Sequence, residues 1–301
     1  MITKNRFAAL VLLLALVQCS SVPMVYVEST NQSSRIDYIV LHATSENFAE
    51  SLRLLTTRNA NPVSSHYLLP TLDDASYPRD DLRVFSLVDE SQRAWHAGVS
   101  YWEEEESLND RSIGIEIVNE LECTGANKPV DEIVLEEVVC EFEPYPDEQI
   151  DLLIKLLADI LQRYPRINPI DIVGHSDIAI MRRSDPGPMF PWQRLYEAGI
   201  GAWPDADATA RYSGEFGINM PTVRTLQRAL LGLGYQVKVT GELDVQTRFA
   251  VRAFQLHYRP ADFSGYVDTE TAALLWAMLE KYRPDVIADL NLIEHLVEIP
   301  E

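Results

Sequence analysis

"INPIDIVGHSDIAIMRRSDPGPMFPW", residues 167–192, is the stretch on which the fold turns. Its opening, "IDIVG", is a short apolar β-branched run between Pro169 and Gly174, which reads as a buried strand. The run ends on His175. Asp185 stands ten positions further on, preceded by Arg182 and Arg183 and followed by Pro186 and Pro188. The prolines restrict the backbone around that carboxylate. A strand that hands a histidine to a stiff, charged loop is the place where α/β folds collect functional side chains.

Outward from there the same pattern recurs. "RIDYIVLH", 35–42, is a second β-branched run that also ends on a histidine, His42. "SSHYLLP", "DLRVFSLVDE" and "RSIGIEIVNE" read as further strands. In the last of these Ile113, Ile115 and Ile117 alternate with Gly114 and Glu116, so Glu116 faces away from the isoleucines. "SENFAESLRLLTTR", 45–58, has helical spacing at 48, 52 and 55, with Ser45 as candidate N-cap. "DEQIDLLIKLLADILQRY" is a strong amphipathic helix opened by Pro146 and Asp147. Strands alternating with helices predict an α/β domain with a central sheet.

Beyond it, "WPDADATARYSG", 203–214, is small, polar and unpatterned and is assigned as a linker. Then the chain repeats itself: "GELDVQT", 241–247, and "GYVDTET", 265–271, are offset by 24 residues. Each Gly suits a tight turn and each Asp can cap the helix that follows. With "TVRTLQRALLGLGY" ahead of them, they predict a small all-α C-terminal domain over 215–284. The tail 285–301 reads as one more helix.

Two imidazoles and one carboxylate, with a fourth position left to water, form the ligand set of a catalytic zinc. His42, His175 and Asp185 supply that set. On residues alone the alternative is a pair of strand-end core histidines, because no spacing rule joins positions 133 apart.

The motifs "IVLHAT", "AWHAG", "SIGIEIVNE" and "GHSDIAIMRRSDPGPMFPW", in this order, resemble the zinc-dependent N-acetylmuramoyl-L-alanine amidases of the type 2 family, relatives of the peptidoglycan recognition proteins. The resemblance spans about 35–202. It implies a central mixed β-sheet flanked by helices and one Zn2+ on His42, His175 and Asp185. Glu116 would orient or deprotonate the attacking water. Arg183 would stabilise an oxyanion where the family usually has Lys; Arg keeps the charge but is not equivalent. Trp95 and His96 of "RAWHAG" are candidate substrate-binding residues, with a structural hydrogen-bonding role as the alternative for His96. The repeat domain resembles a peptidoglycan-binding domain. Peptidoglycan and muropeptides are then the expected partners. A decayed, purely binding relative is a rival, but such relatives typically lose a ligand. A zinc peptidase is disfavoured because the chain has no H-E-x-x-H helix.

Composition agrees with that setting. The net charge is -21, which excludes nucleic acid as a natural partner, since phosphate binding needs basic surface. Lys4 and Arg6 precede the apolar run "FAALVLLLALVQ", an export signal over 1–18. "LVQCSS" resembles the lipobox of bacterial lipoproteins, departing from it at Gln18. It implies Cys19 as a lipidated first residue, residues 19–34 as a tether, and a membrane anchor, with Ser20 pointing to the outer membrane on its periplasmic side; ordinary secretion, with Cys19 lost in the discarded peptide, is the alternative. Cys123 and Cys140 remain. An exported chain allows them to pair, and two free buried thiols are the alternative.

Overall fold

A computed structural model describes residues 23, 25–32, 35–125 and 132–297. The export signal and Cys19 lie outside the described residues. Contacts divide the chain into residues 1–33 and 34–301. In the first unit the described residues form no helix or strand. Among the described residues no helix is long and apolar enough to cross a membrane.

The second unit begins with strand β1 (Tyr38–Ala43) and helix α1 (Phe48–Thr56). The helix is capped by Asn47, whose side chain accepts from Glu50 N at 3.0 Å, and not by the expected Ser45. Ser45 has φ 59°, a turn geometry that leaves the capping position two residues further on. Short strands follow: β2 (Tyr67–Leu69), β3 (Phe85–Ser86), β4 (Tyr101–Trp102) and β5 (Glu105–Glu106). Then come β6 (Ser112–Ile117), the hairpin β7 (Glu122–Thr124) and β8 (Val139–Glu141), helix α2 (Asp147–Arg163) and β9 (Ile172–Gly174). The hairpin pairs Cys123 with Cys140, and these two form a disulfide.

The main sheet runs β3-β2-β6-β1-β9, with β3 antiparallel to β2 and the other neighbours parallel. It is therefore mixed, as the resemblance implied. Strand alternation sorts its two faces. Ile39, Leu41, Ile113, Ile115 and Ile117 pack with Ile150, Leu153, Leu157 and Ile160, the apolar stripe of α2. Each such buried side chain contributes about 1.5–3 kcal/mol. Tyr38 and Val40 face the other way and join a second cluster that also holds Leu226, Phe249 and Trp276 of the C-terminal helices. Those helices follow α3 (His175–Ile178) and α4 (Trp192–Glu197). They are α5 (Ala206–Phe216), α6 (Val223–Leu233), α7 (Val245–Tyr258), α8 (Thr269–Tyr282) and α9 (Pro284–Val297).

Helix α5 corrects the reading of 203–214 as an unpatterned linker. Ala206, Ala208 and Ala210 are strong helix formers, and Ala208 and Tyr212, one turn apart, are buried. The internal repeat is structural as well as textual. Asp244 and Asp268 each cap their helix through the Thr three residues on, at 2.8 and 2.9 Å. Gly241 and Gly265 take φ 85° and 74°, and each donates its N–H to a buried glutamine, Gln227 or Gln255.

Candidate metal centre and active site

Sheet register assembles the site. His42 of β1 lies directly beside Glu116 of β6. On the other side Leu41 is in register with Gly174, so His175 emerges one step past β9 next to His42. All three stand at the C-terminal ends of parallel strands. Asp185 arrives from the loop after α3, tied back by a bond from Ser176 N to its own carbonyl at 2.8 Å. The Asp185–Pro186 peptide is cis, and the Tyr145 hydroxyl donates to Pro186 O at 2.8 Å.

Three atoms converge. His42 Nδ1 and His175 Nδ1 are 3.0 Å apart, and Asp185 Oδ2 lies 3.2 Å from His175 Nδ1 and 3.5 Å from His42 Nδ1. All three residues are buried. A tetrahedral ion with bonds of about 2.0–2.1 Å needs ligand atoms roughly 3.3 Å apart, and this triangle matches.

The hydrogen-bond chain behind these histidines fixes which nitrogens are free. Ser112 donates its hydroxyl to Leu108 O at 2.6 Å, so its oxygen accepts from His96 Nε2 at 3.2 Å. His96 Nδ1 is then an acceptor, and it takes the proton of His42 Nε2 at 3.0 Å. His42 Nδ1 is left with a lone pair. His175 Nε2 donates to Ala97 O at 3.2 Å, which likewise leaves its Nδ1 a lone pair. Two lone pairs and a carboxylate facing one another have no proton to share. A cation at their centre resolves the repulsion, so the donor set fits a metal.

Electrostatics agree. Burial, with His175 adding to it, lowers His42 to about 4, so the ring is neutral and able to ligate. Burial, with the Asp185 charge adding and Arg183 opposing, pushes Glu116 up to about 8.

These groups open into a cavity of about 820 Å³ that Trp95, Arg182 and Arg183 also line. Arg183 is exposed at its edge. Trp95 is 48% exposed and available to a ligand. His96 also lines this cavity, although it is buried and has both ring nitrogens engaged in the chain described above. Arg182, given no role in the sequence analysis, donates to Ala97 O and Val99 O and so pins the loop that accepts the His175 bond. Asp177 and His257 were also missed, although Asp177 sits inside the quoted "HSD" motif.

A buried His-His-Asp triangle with an adjoining glutamate, on a mixed sheet backed by helices, is an arrangement that could hold a metal ion. The chain belongs to the N-acetylmuramoyl-L-alanine amidase family, which matches residues 32–188; a peptidoglycan binding domain matches residues 219–275. It is 41% identical to the N-acetylmuramoyl-L-alanine amidase AmiD of Escherichia coli (strain K12) over 83% of this chain and 85% of that protein. Among solved structures, AmpDh3 from Pseudomonas aeruginosa, in complex with anhydromuramic pentapeptide, shares 44% identity and a TM-score of 0.76, covering 85% of this chain and 96% of that one. E. coli AmiD with anhydro-N-acetylmuramic acid-L-Ala-D-gamma-Glu-L-Lys shares 39% identity and a TM-score of 0.70, over 85% and 93% of the two chains.

Proposed function

We propose that this protein hydrolyses the amide bond joining N-acetylmuramic acid to L-alanine in peptidoglycan and muropeptides, using one zinc ion held by His42, His175 and Asp185. The convergence of these three ligand atoms within 3.5 Å, inside a chain of the amidase family, carries this reading. Bound there, zinc supplies a Lewis acid and lowers the pKa of a water molecule toward neutrality.

The chain's own residues do the rest. Glu116, beside His42 on the next strand, takes the proton of the attacking water and returns it to the leaving L-alanine amine. Arg183, at the cavity edge, faces the negative charge that develops on the lactyl carbonyl oxygen. Trp95 offers a flat apolar surface to the sugar. The cavity suits a muramoyl unit with its first stem residues. The products are a sugar with a free lactyl carboxylate and a stem peptide with a free amine.

The helical module over 215–284 retains the enzyme on the wall. The protein is exported and anchored by lipid at Cys19, on the periplasmic side of the outer membrane. Cys19→Ala is expected to release it from membrane fractions; continued sedimentation with membranes would count against the anchor.

The deciding experiment incubates purified protein with muropeptides, with and without chelator, and weighs the products by mass spectrometry. Loss of the whole stem peptide, abolished by chelator and restored by zinc, is the expected result. Cuts within the stem, or retention without cleavage, would overturn it.

A further inference from the structure

Asp177 lies two residues past His175 and is 1% exposed. Its Oδ2 accepts from Gly174 N at 2.7 Å, which ties it to the end of β9. The other two bonds come from the helical module. His257 Nδ1 of α7 donates to Oδ2 at 2.8 Å, and the Tyr235 hydroxyl, just past α6, donates to Oδ1 at 2.7 Å. Earlier in α7, Arg252 is 5% exposed and donates from Nη1 to Ser184 Oγ at 2.9 Å. Ser184 is the neighbour of Asp185. Among the described residues no carboxylate pairs with Arg252. The His257 ring also stacks on Trp192, which closes the loop that follows Asp185, at 3.7 Å between centroids and 21°.

A module that only held the wall would not need these contacts. A buried guanidinium without an acidic partner is costly, and so is a buried carboxylate that loses its donors. Here the guanidinium has no acidic partner among the described residues and Asp177 depends on donors from the helical module; Asp177 lies two residues from His175, and Arg252 bonds Ser184 beside Asp185. We propose that α7 is a working part of the metal centre. His257 acts through Asp177 to set the position of His175, and Arg252 acts through Ser184 to set that of Asp185. His257 and Arg252 are positioning residues: neither touches the ion or the substrate. The binding module therefore sets the affinity of a metal site to which it contributes no ligand. This rests on His42, His175 and Asp185 being the zinc ligands.

The test uses the full chain and measures its zinc dissociation constant by competition with a chromogenic chelator. Folding is checked by circular dichroism, and binding to insoluble sacculi is checked by sedimentation. His257→Phe keeps an aromatic ring over Trp192 but removes the donor to Asp177; Arg252→Met removes the guanidinium. Each is expected to weaken zinc roughly 10–100-fold, the size typical of groups that orient a metal's ligands, with sacculus binding retained. Arg248→Met is the control. It lies on the same helix and loses an ion pair to Glu136, not a contact with a ligand segment. It should leave zinc affinity within about threefold, below that range.

Zinc constants within twofold of the parent for folded His257→Phe and Arg252→Met would overturn the proposal. So would an equal loss in the Arg248→Met control, because general loosening would then explain the effect. If His257→Phe does not fold, Tyr235→Phe, which deletes one hydroxyl, takes its place under the same criterion. His175→Ala separates the two levels. If it keeps full zinc affinity, the ligand assignment itself fails. If it loses zinc while the α7 variants do not, only the role of α7 fails.

Discussion

Gly114→Ala tests the wiring behind His42 without touching a ligand. Gly114 sits in the middle of β6, held between β1 and β2, so its backbone cannot easily retreat. A Cβ added there would lie 2.3 Å from Cγ, 2.5 Å from Cδ2 and 2.6 Å from Nδ1 of His96. Carbon contacts settle near 3.5–4.0 Å, so the imidazole must withdraw by about 1 Å. The 3.0 Å bond from His42 Nε2 to His96 then stretches beyond hydrogen-bonding range. His42 loses the acceptor that keeps its proton on Nε2 and its lone pair on Nδ1. The expected cost is a 10–100-fold loss in zinc affinity, about 1.4–2.7 kcal/mol. Chelator competition on Gly114→Ala, alongside His96→Phe as a direct deletion of the acceptor, measures it. Wild-type zinc affinity in both folded variants would refute the chain from Ser112 to His42.

The remaining expectations concern charge, catalysis and the hairpin. His42 titrates at about 4 when folded and near 6.5 when unfolded, so between those values the unfolded chain binds more protons. Metal-free protein should therefore lose stability as pH falls from about 6.5 towards 4; urea midpoints should show this pH dependence reduced in His42→Gln, and an unchanged dependence would contradict it. Glu116→Gln should lower kcat by about 10²–10⁴ while zinc content stays at one ion per chain, and an active variant would remove Glu116 from proton transfer. Arg183→Ala should lower kcat about 10²-fold or more with little change in KM, whereas Arg183→Lys should retain most activity; equal losses in the two would argue for shape over charge. Cys123→Ser with Cys140→Ser opens a link across a sequence separation of 17 and should lower stability by about 3 kcal/mol, read from denaturant melts.

Much of the sheet was legible because its chemistry is local. β-branched runs mark β1, β6 and β9, and the 3, 4, 3 spacing of Ile150, Leu153, Leu157 and Ile160 marks α2. Glu116 could be assigned to the face opposite the isoleucines from alternation alone. That His42 and His175 meet is a matter of parallel pairing, which has no local signal; only the ordered motifs implied it. Helix α5 was lost because its buried stripe is two residues wide and its remaining positions are small and polar. His257 was invisible for a different reason. It sits on a helix already explained by the repeat, and its partner Asp177 is 80 residues away. For His96 the sequence left two roles open, groove lining and structural hydrogen bonding, and the residue both lines the cavity and bonds through its two ring nitrogens. The pleat of the neighbouring strand, open at Gly114, draws it inward.

The pairing of His42 with Glu116 across β1 and β6 has a further consequence. A slip of one residue between these strands would turn the isoleucine row towards the cavity and the C-terminal helices, and His42 and Glu116 into the oil beneath α2. Such a mistake carries its own penalty, so misaligned chains are rejected by hydrophobicity before chemistry is ever tried. The amidase needs no separate safeguard for the alignment of Glu116, because the greasy side of the same ribbon enforces it.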